Sequence, residues 1–296
     1  MPPTPPQLEP SPNAPYIACW NDILAPKWLR YRHLLSGNGQ IHSDVAYPQL
    51  QLRPGDHVLD VASGFGENSL ELAQRVGSSG RVLGLDCTEA FVQIARREGA
   101  AAQVTNVEYL SADIETAPLK AECFDLAVSR FGLMFCASPV RALRAVARAL
   151  KPKAQVALIT WRSLADNPCW KLAEEIALAH LPAPGADGAT CGPGLFALSD
   201  ADTNTRILHA AGFEQVEAQR IDRKVCVGRT LEEAGDYQMA VGPAAFVIRE
   251  AGDRSLAAHA EIQQALRRLH RRHQRADGSV WLDSSTWFVT ARRPAA

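Results

Sequence analysis

Net charge is what this sequence most lacks. Its 296 residues carry 31 Lys and Arg against 32 Asp and Glu, a formal charge of -1 at pH 7. So even a balance leaves no electrostatic footprint for nucleic acid or an anionic membrane surface. No apolar run is long enough to span a bilayer. The seven cysteines, Cys19, Cys87, Cys123, Cys136, Cys169, Cys191 and Cys226, are odd in number, scattered and without a C-x-x-C pair. That pattern argues against a zinc site and predicts free thiols in a reducing, cytoplasmic compartment. The opening stretch, MPPTPPQLEPSPNAP, has neither the basic nor the apolar region of a signal peptide. Proline fills seven of its fifteen positions, so residues 1–15 are expected to be a disordered tail, with a docking segment for a proline-binding module as the sharper alternative.

Hydrophobic residues make up 47% of the chain, enough for one large domain or a domain with a cap. Apolar, β-rich runs recur: HVLDVA from residue 57, RVLGLD from 81, VEYLSAD from 107, FDLAVSR from 124 and QVALITW from 155. Runs that are apolar almost throughout suit strands buried on both faces, as in a parallel sheet. Helix-period segments lie between them. Leu72, Ala73 and Val76 share a face, as do Phe91, Ile94 and Ala95. Ser138 and Pro139 read as an N-cap and first helical residue ahead of Val140, Leu143, Ala147 and Leu150. Alternating strand and helix predicts an α/β fold with right-handed crossovers.

In such sheets ligands sit beyond the carboxyl ends of the strands. Three of these ends carry carboxylates: Asp60, Asp86 and Asp113. The first is followed by Ala62, Ser63, Gly64, Phe65 and Gly66, a turn of mostly small residues. Gly64 and Gly66 let a ligand reach the main chain, and the helix from about Asn68 offers its N-terminal amides. The turn matches neither G-x-G-x-x-G nor a P-loop. A carboxylate ending the second strand suits a ribose diol, and Asp113 suits the amino group of adenine. The edge fits a nucleoside without a phosphate chain.

VLDVASGFG, VLGLD, LSADIETAPL, FDLAVSRFG and RALKPKAQVALITW, in this order, resemble the class I S-adenosylmethionine-dependent methyltransferases, in particular the branch with the ubiquinone/menaquinone C-methyltransferases. The resemblance covers residues 52–162. It implies a doubly wound, mostly parallel seven-stranded Rossmann-like sheet and S-adenosylmethionine as cofactor. Ala62, Ser63 and Gly64 would line the methionyl and ribose portion, with Asp60 orienting the loop. Asp86, with Cys87 beside it, would bind the ribose. Adenine would be held by the Asp113 carboxylate or the Ile114 amide. Ser129 would face the methionyl amine and Phe131 would flank the sulfonium; for Ile114 and Phe131, core packing is the competing reading. Ala62 departs from the family's D-x-G-x-G-x-G turn by a methyl group. LFALSDADTNTRILHAAGFEQVE resembles the approach to a sixth strand, and GSVWLDSSTWFVTARR an antiparallel closing strand at 276–296.

The acceptor is less legible. SRFG ends the fourth strand without the motif of amino methyltransferases or the acidic ligand of metal-dependent catechol methyltransferases, so no metal is expected. The basic run LRRLHRRHQR reads as an amphipathic helix with Ile262, Leu266 and Leu269 inward. Residues 51–162 form the expected cofactor-binding core. Two further regions remain to build a mostly apolar acceptor pocket: an N-terminal helical lid over residues 16–50, and a substrate-cap insertion within 163–275. Trp20, Arg130, Trp170 and Tyr237 are the acceptor-contact candidates, the aromatic ones also suiting a core. His42, at the Gly-rich GNGQIHSD junction, is the candidate base or carboxylate-binding group. A small-molecule methyltransferase leads; a same-fold cyclase or aminopropyl transferase and a non-catalytic assembly partner are the alternatives. Small-molecule acceptors are expected, without nucleic acid or a membrane span.

Overall fold

The computed structural model describes residues 13–185 and 191–295. The N-terminal segment is helical throughout: α1 (Ala14–Cys19), a π-helical turn (Trp20–Leu24), α2 (Ala25–Arg30) and α3 (Arg32–Ala46). Strands and helices then alternate as β1 (His57–Val61), α4 (Glu67–Val76), β2 (Arg81–Asp86), α5 (Glu89–Ala101), β3 (Val107–Ser111), β4 (Phe124–Arg130), α6 (Pro139–Ala149) and β5 (Leu150–Trp161). After them come α7 (Pro168–His180), α8 (Ala201–Ala210), β6 (Glu214–Gly228), α9 (Leu231–Ala240), α10 (Pro243–Glu250), α11 (Asp253–Arg271) and β7 (Val280–Arg292).

The strands form one seven-stranded sheet in the order β3-β2-β1-β4-β5-β7-β6. The first five are parallel, and β7 runs antiparallel between β5 and β6. Val58, Leu59, Leu126, Ala127 and Val128 are sealed in the centre of the sheet, which is why those runs read as unbroken apolar sequence. Parallel pairing aligns the strand ends, so the turn after β1, Asp86 at the end of β2 and the segment after β3 meet on one edge. The chain order reverses between β1 and β4, where a crevice opens. Helices α7, α9, α10 and α11 pack on one another at that edge as a cap, around Ala173, Ala177, Val247, Ile262 and Leu266.

Several expectations change. Residues 1–12 lie outside the described residues, but Asn13 to Pro15 are not tail: α1 starts at Ala14 and Asn13 is buried. Gly37 and Gly39 sit inside α3, so GNGQIHSD is helix and not a junction. Cys19 and Cys191, 172 residues apart, are joined as a disulfide, leaving five free cysteines where seven were expected. The buried face of α6 runs through Ala142, Leu143, Val146 and Ala149, and Leu150 already belongs to β5. In α11 the third inward residue is His270, with Leu269 half-buried.

Candidate active site

A cavity of about 470 Å³ occupies the crevice, floored by the strand ends and walled by α1 to α3 and the cap. Its size suits a small-molecule site.

The floor starts at the turn after β1. Ala62 has φ 58, Gly64 φ 56 and Gly66 φ 88, all left-handed. The two glycines serve different ends. Nothing lies within 4 Å of where a Gly64 Cβ would be, so that position faces open space. A Cβ on Gly66 would lie 2.7 Å from Ala95 Cβ and from the Tyr109 hydroxyl oxygen. Gly66 therefore lets the turn pack on the protein and does not line the cavity, contrary to the sequence reading. Asp60 ties the turn to α4: it accepts from Asn68 Nδ2 at 2.8 Å and Ser69 Oγ at 2.6 Å. Burial pushes its carboxyl up to about 6, against the pull of those two donors. Tyr47 extends the network by donating to Asn68 Oδ1.

Asp86 accepts from the Gly64 amide and the Thr88 amide, each at 2.8 Å. Burial raises its pKa, and these amides offset part of the shift. Cys87, also lining the cavity, has its thiol pushed up to about 12, first by burial and then by Asp86, so it is not poised as a nucleophile. Asp113 accepts from Asn13 Nδ2 at 2.8 Å, while Asn13 Oδ1 accepts from the Ala137 amide at 2.6 Å. Asn21 donates to the Cys87 carbonyl and accepts from the Glu89 amide, both at 3.2 Å. These two asparagines clamp the N-terminal helices across the ends of β2, β3 and β4. The Cys19–Cys191 bond adds a covalent tie to the loop from Cys191 to Phe196, which lines the same cavity.

Asp60, Ala62, Ser63, Gly64, Asp86, Cys87, Asp113, Ile114, Phe131, Trp20, Arg130, Trp170 and Tyr237 all line the cavity. Three candidates do not. Gly66 faces Tyr109 and Ala95, as above. Ser129 is buried below the surface with its hydroxyl unpartnered. His42 is wholly buried, between β7 and the rings of Phe131 and Trp161. Its Nε2 lies 3.1 Å from Ser284 Oγ, and its Nδ1 lies 3.1 Å from Thr286 Oγ1. Because Ser284 Oγ donates to the Arg223 carbonyl, Nε2 is the nitrogen that donates to it, and Nδ1 is left as an acceptor that shares the Thr286 hydroxyl proton with the Ile221 carbonyl at 3.4 Å. Burial, reinforced by Arg223 and Arg130, lowers the imidazole to about 4. A neutral ring with both nitrogens engaged, facing the sheet, is not placed to take a proton from an acceptor.

The far wall is aromatic. Phe131, with φ 58, stacks on Trp161 at 4.4 Å and 15°. Trp161 meets the edge of Trp170 at 5.7 Å, and Trp170 meets Tyr237 at 6.0 Å. Trp20, at the start of the π-helical turn, packs on Trp28 and Phe135. Sequence reading missed Trp161, Asn13 and Glu174. Glu174 stands one turn after Trp170 on α7 and lines the cavity, and burial raises its carboxyl. The i, i+4 spacing to Trp170 was the available signal. Arg130, from the end of β4, donates to Ser43 Oγ at 3.1 Å and lies against Gly39, where a Cβ would be 3.0 Å from its Cζ.

Residues 58–153 match the family model described as a methyltransferase domain. The chain is 29% identical over 168 residues to the 2-phytyl-1,4-naphtoquinone methyltransferase of Nostoc sp., covering 56% of this chain and 73% of that protein. It is also 29% identical over 174 residues to a ubiquinone/menaquinone biosynthesis C-methyltransferase of Enterobacter sp., covering 56% and 69%. Among solved structures, the YcgJ protein from Bacillus subtilis gives a TM-score of 0.55 at 14% identity, over 88% of this chain and 100% of that one. A putative methyltransferase from Bacillus halodurans gives 0.55 at 18% identity, with the same two coverages. At these identities the structural likeness speaks for the fold alone.

Proposed function

We propose, for a chain that is an S-adenosylmethionine-dependent methyltransferase, that the methyl acceptor is a phenol or hydroquinone ring held in the cap half of the cavity. The observation that carries the acceptor class is the aromatic wall of Phe131, Trp161, Trp170 and Tyr237, which leads from the strand ends into the cap. The names of the quinone methyltransferases it resembles point the same way.

The residues present fit the cofactor. Gly64 leaves a left-handed, open stretch of backbone; Asp86 offers a carboxylate whose oxygens keep lone pairs for a ribose diol; Ser63 has a buried hydroxyl without a partner. On this reading Ala62, Ser63 and Gly64 hold the methionyl and ribose part, Asp86 the ribose, and Asp113 with Ile114 the adenine. Arg130, expected to face the acceptor, lies beside the turn, where its guanidinium suits a methionyl carboxylate. When bound, the cofactor supplies a methyl group already activated on a sulfonium, so the protein has to position and dehydrate more than to activate. Phe131 and the lid helices exclude water, and Glu174 takes the acceptor's proton. A cytoplasmic setting belongs to the same proposal: the five free cysteines favour it, and the Cys19–Cys191 bond weighs against it.

Purified protein incubated with S-adenosylmethionine and separate pools of hydroquinones, phenols, amines and carboxylic acids tests this by mass spectrometry. Methylated products confined to the hydroxylated rings are expected. Methylation of amines alone would overturn the acceptor class.

A further inference from the structure

We infer that Tyr237 and Trp170 together form a binding site for an acceptor oxygen, holding the phenol or enol as its oxyanion. This rests on the aromatic-acceptor reading above and assigns the pair a task beyond wall packing. Both residues line the cavity, Tyr237 at 1% and Trp170 at 6% exposure, and their rings are neighbours at 6.0 Å. The Trp170 indole Nε1 is buried with no hydrogen-bond partner. Among the described residues, no hydrogen bond reaches the Tyr237 hydroxyl either. Buried polar groups are nearly always satisfied, so the unsatisfied Trp170 N–H, with the Tyr237 ring beside it on the same cavity wall, calls for a partner that arrives with the ligand.

The chemistry of the pair selects that partner. Indole N–H donates and never accepts. Burial raises the Tyr237 phenol well above its ordinary range, so it stays protonated and able to donate. Two donors suit an oxygen that carries charge and repel an ammonium group. Neither ring is free to turn away. A Cβ on Gly242 would lie 2.5 Å from Trp170 Cε3, so the benzo edge is seated on that backbone. Tyr31 packs edge-on against Tyr237 at 5.3 Å. The charged and titratable groups around the pair are Cys169 and Cys226 beside Tyr237, Glu174 one turn beyond Trp170, and Lys27 and Arg249 on the cavity lining. The acceptor's O–H proton passes to the Glu174 carboxylate, leaving the charge on the oxygen facing the two donors.

Two probes without a transferable step test this on the full chain: a naphthol, followed by the absorbance change of its ionisation, and naphthalene, which lacks the oxygen. Wild-type protein should bind both and lower the pH at which the bound naphthol ionises. Tyr237→Phe, which removes one oxygen atom, and Trp170→Phe should each weaken naphtholate binding by roughly ten- to a hundredfold. Both should leave naphthalene binding within about twofold and return the ionisation toward the free value. Equal weakening of both probes, or an unchanged naphtholate affinity in Tyr237→Phe, overturns the oxygen site while leaving an aromatic pocket. Failure of wild-type protein to bind either probe overturns the acceptor reading and the oxygen site with it. Melting temperatures of both variants within a few degrees of wild type show that the comparison is between folded proteins.

Discussion

The methyl group of Ala62 fills the space that a side chain on Gly132 would need: a Cβ on Gly132 would lie 2.1 Å from the Ala62 Cβ. The two positions stand at the ends of β1 and β4, on either side of the crevice. Ala62 also holds a left-handed backbone, φ 58. Replacing Gly132 with Ala should therefore destabilise the protein by at least about 2 kcal/mol through overpacking. Ala62→Gly relieves about 1–2 kcal/mol of left-handed strain and gives back about 0.4–1 kcal/mol through the freer unfolded chain. In the double variant the cost of Gly132→Ala should fall by about 1 kcal/mol or more. Urea denaturation of the four proteins measures the coupling; strict additivity would show that the two methyl positions do not compete.

Asp86→Ala should weaken S-adenosylmethionine by about 1.5–3 kcal/mol, because hydrogen bonds to a charged group are lost. The carboxylate also holds the Gly64 amide, so part of the loss comes from the turn. Calorimetric titration checks it, and an unchanged affinity would remove Asp86 from the ribose site.

Asn13→Ala should speed dissociation of the cofactor more than it lowers the melting temperature. The side chain bridges Asp113 and the Ala137 amide, so its loss unclips the N-terminal helix from the strand ends without opening the core. Stopped-flow displacement of bound cofactor reads the difference; equal rates would show that the clamp does not gate exchange.

His42→Gln should leave kcat nearly unchanged and alter the acid stability. The imidazoles of His42 and His270 are both lowered to about 4, first by burial. A base with a depressed folded pKa stabilises the native state above its unfolded value near 6.5, and that stability is lost as pH falls toward 4. Asp60, raised to about 6, works the other way: its contribution is present below about 4 and lost as pH rises through 6. Across pH 4 to 6.5 each of the two histidines therefore makes stability rise with pH, while Asp60 and the likewise raised Asp86 and Glu174 make it fall. His42→Gln should take its upward contribution out of that window, so that the variant gains less stability, relative to wild type, as pH rises from 4 to 6.5, as followed by denaturation midpoints at several pH values. A large drop in kcat with normal stability would instead return His42 to the chemistry.

Glu174→Gln should lower kcat by about a hundredfold, in the range typical for losing a general base. Burial raises the Glu174 carboxyl, and a base works only when ionised. The wild-type rate should therefore fall as pH drops through a value above the ordinary glutamate range, and the variant should lack that limb. A limb kept unchanged in Glu174→Gln would assign the proton to another group.

How much of this was legible depends on sequence distance. Each of Asp60, Asp86 and Asp113 closes an apolar run, so local pattern alone placed the three carboxylates on one edge. The Ser138 cap was equally local, and its hydroxyl accepts from the Arg141 amide at 3.3 Å. The partners of His42 were not legible: Ser284 and Thr286 are 242 and 244 residues away, and no local rule says that a helical histidine will meet a strand so distant. The Cys19–Cys191 pair failed for the same reason. With seven scattered cysteines, spacing carried no preference for any pair. Ala62 shows the intermediate case. Its departure from the glycine-rich turn was visible in sequence, but the glycine that makes room for it, Gly132, belongs to another strand.

The position of β7 has a consequence for how the molecule is assembled during synthesis. The ribosome makes β6 before β7, yet β7 lies between β5 and β6. A growing chain that has reached residue 228 can complete the parallel run from β3 to β5, with the turn at Gly64 and the carboxylates of Asp86 and Asp113 in place. Its β6 still has no neighbour to pair with, and His42 has neither of its hydroxyl partners. The nucleoside-binding edge can thus be finished while α3 still lacks its tie to β7 and the cap is unbuilt, so such a nascent chain can meet its cofactor before it has anywhere to put an acceptor.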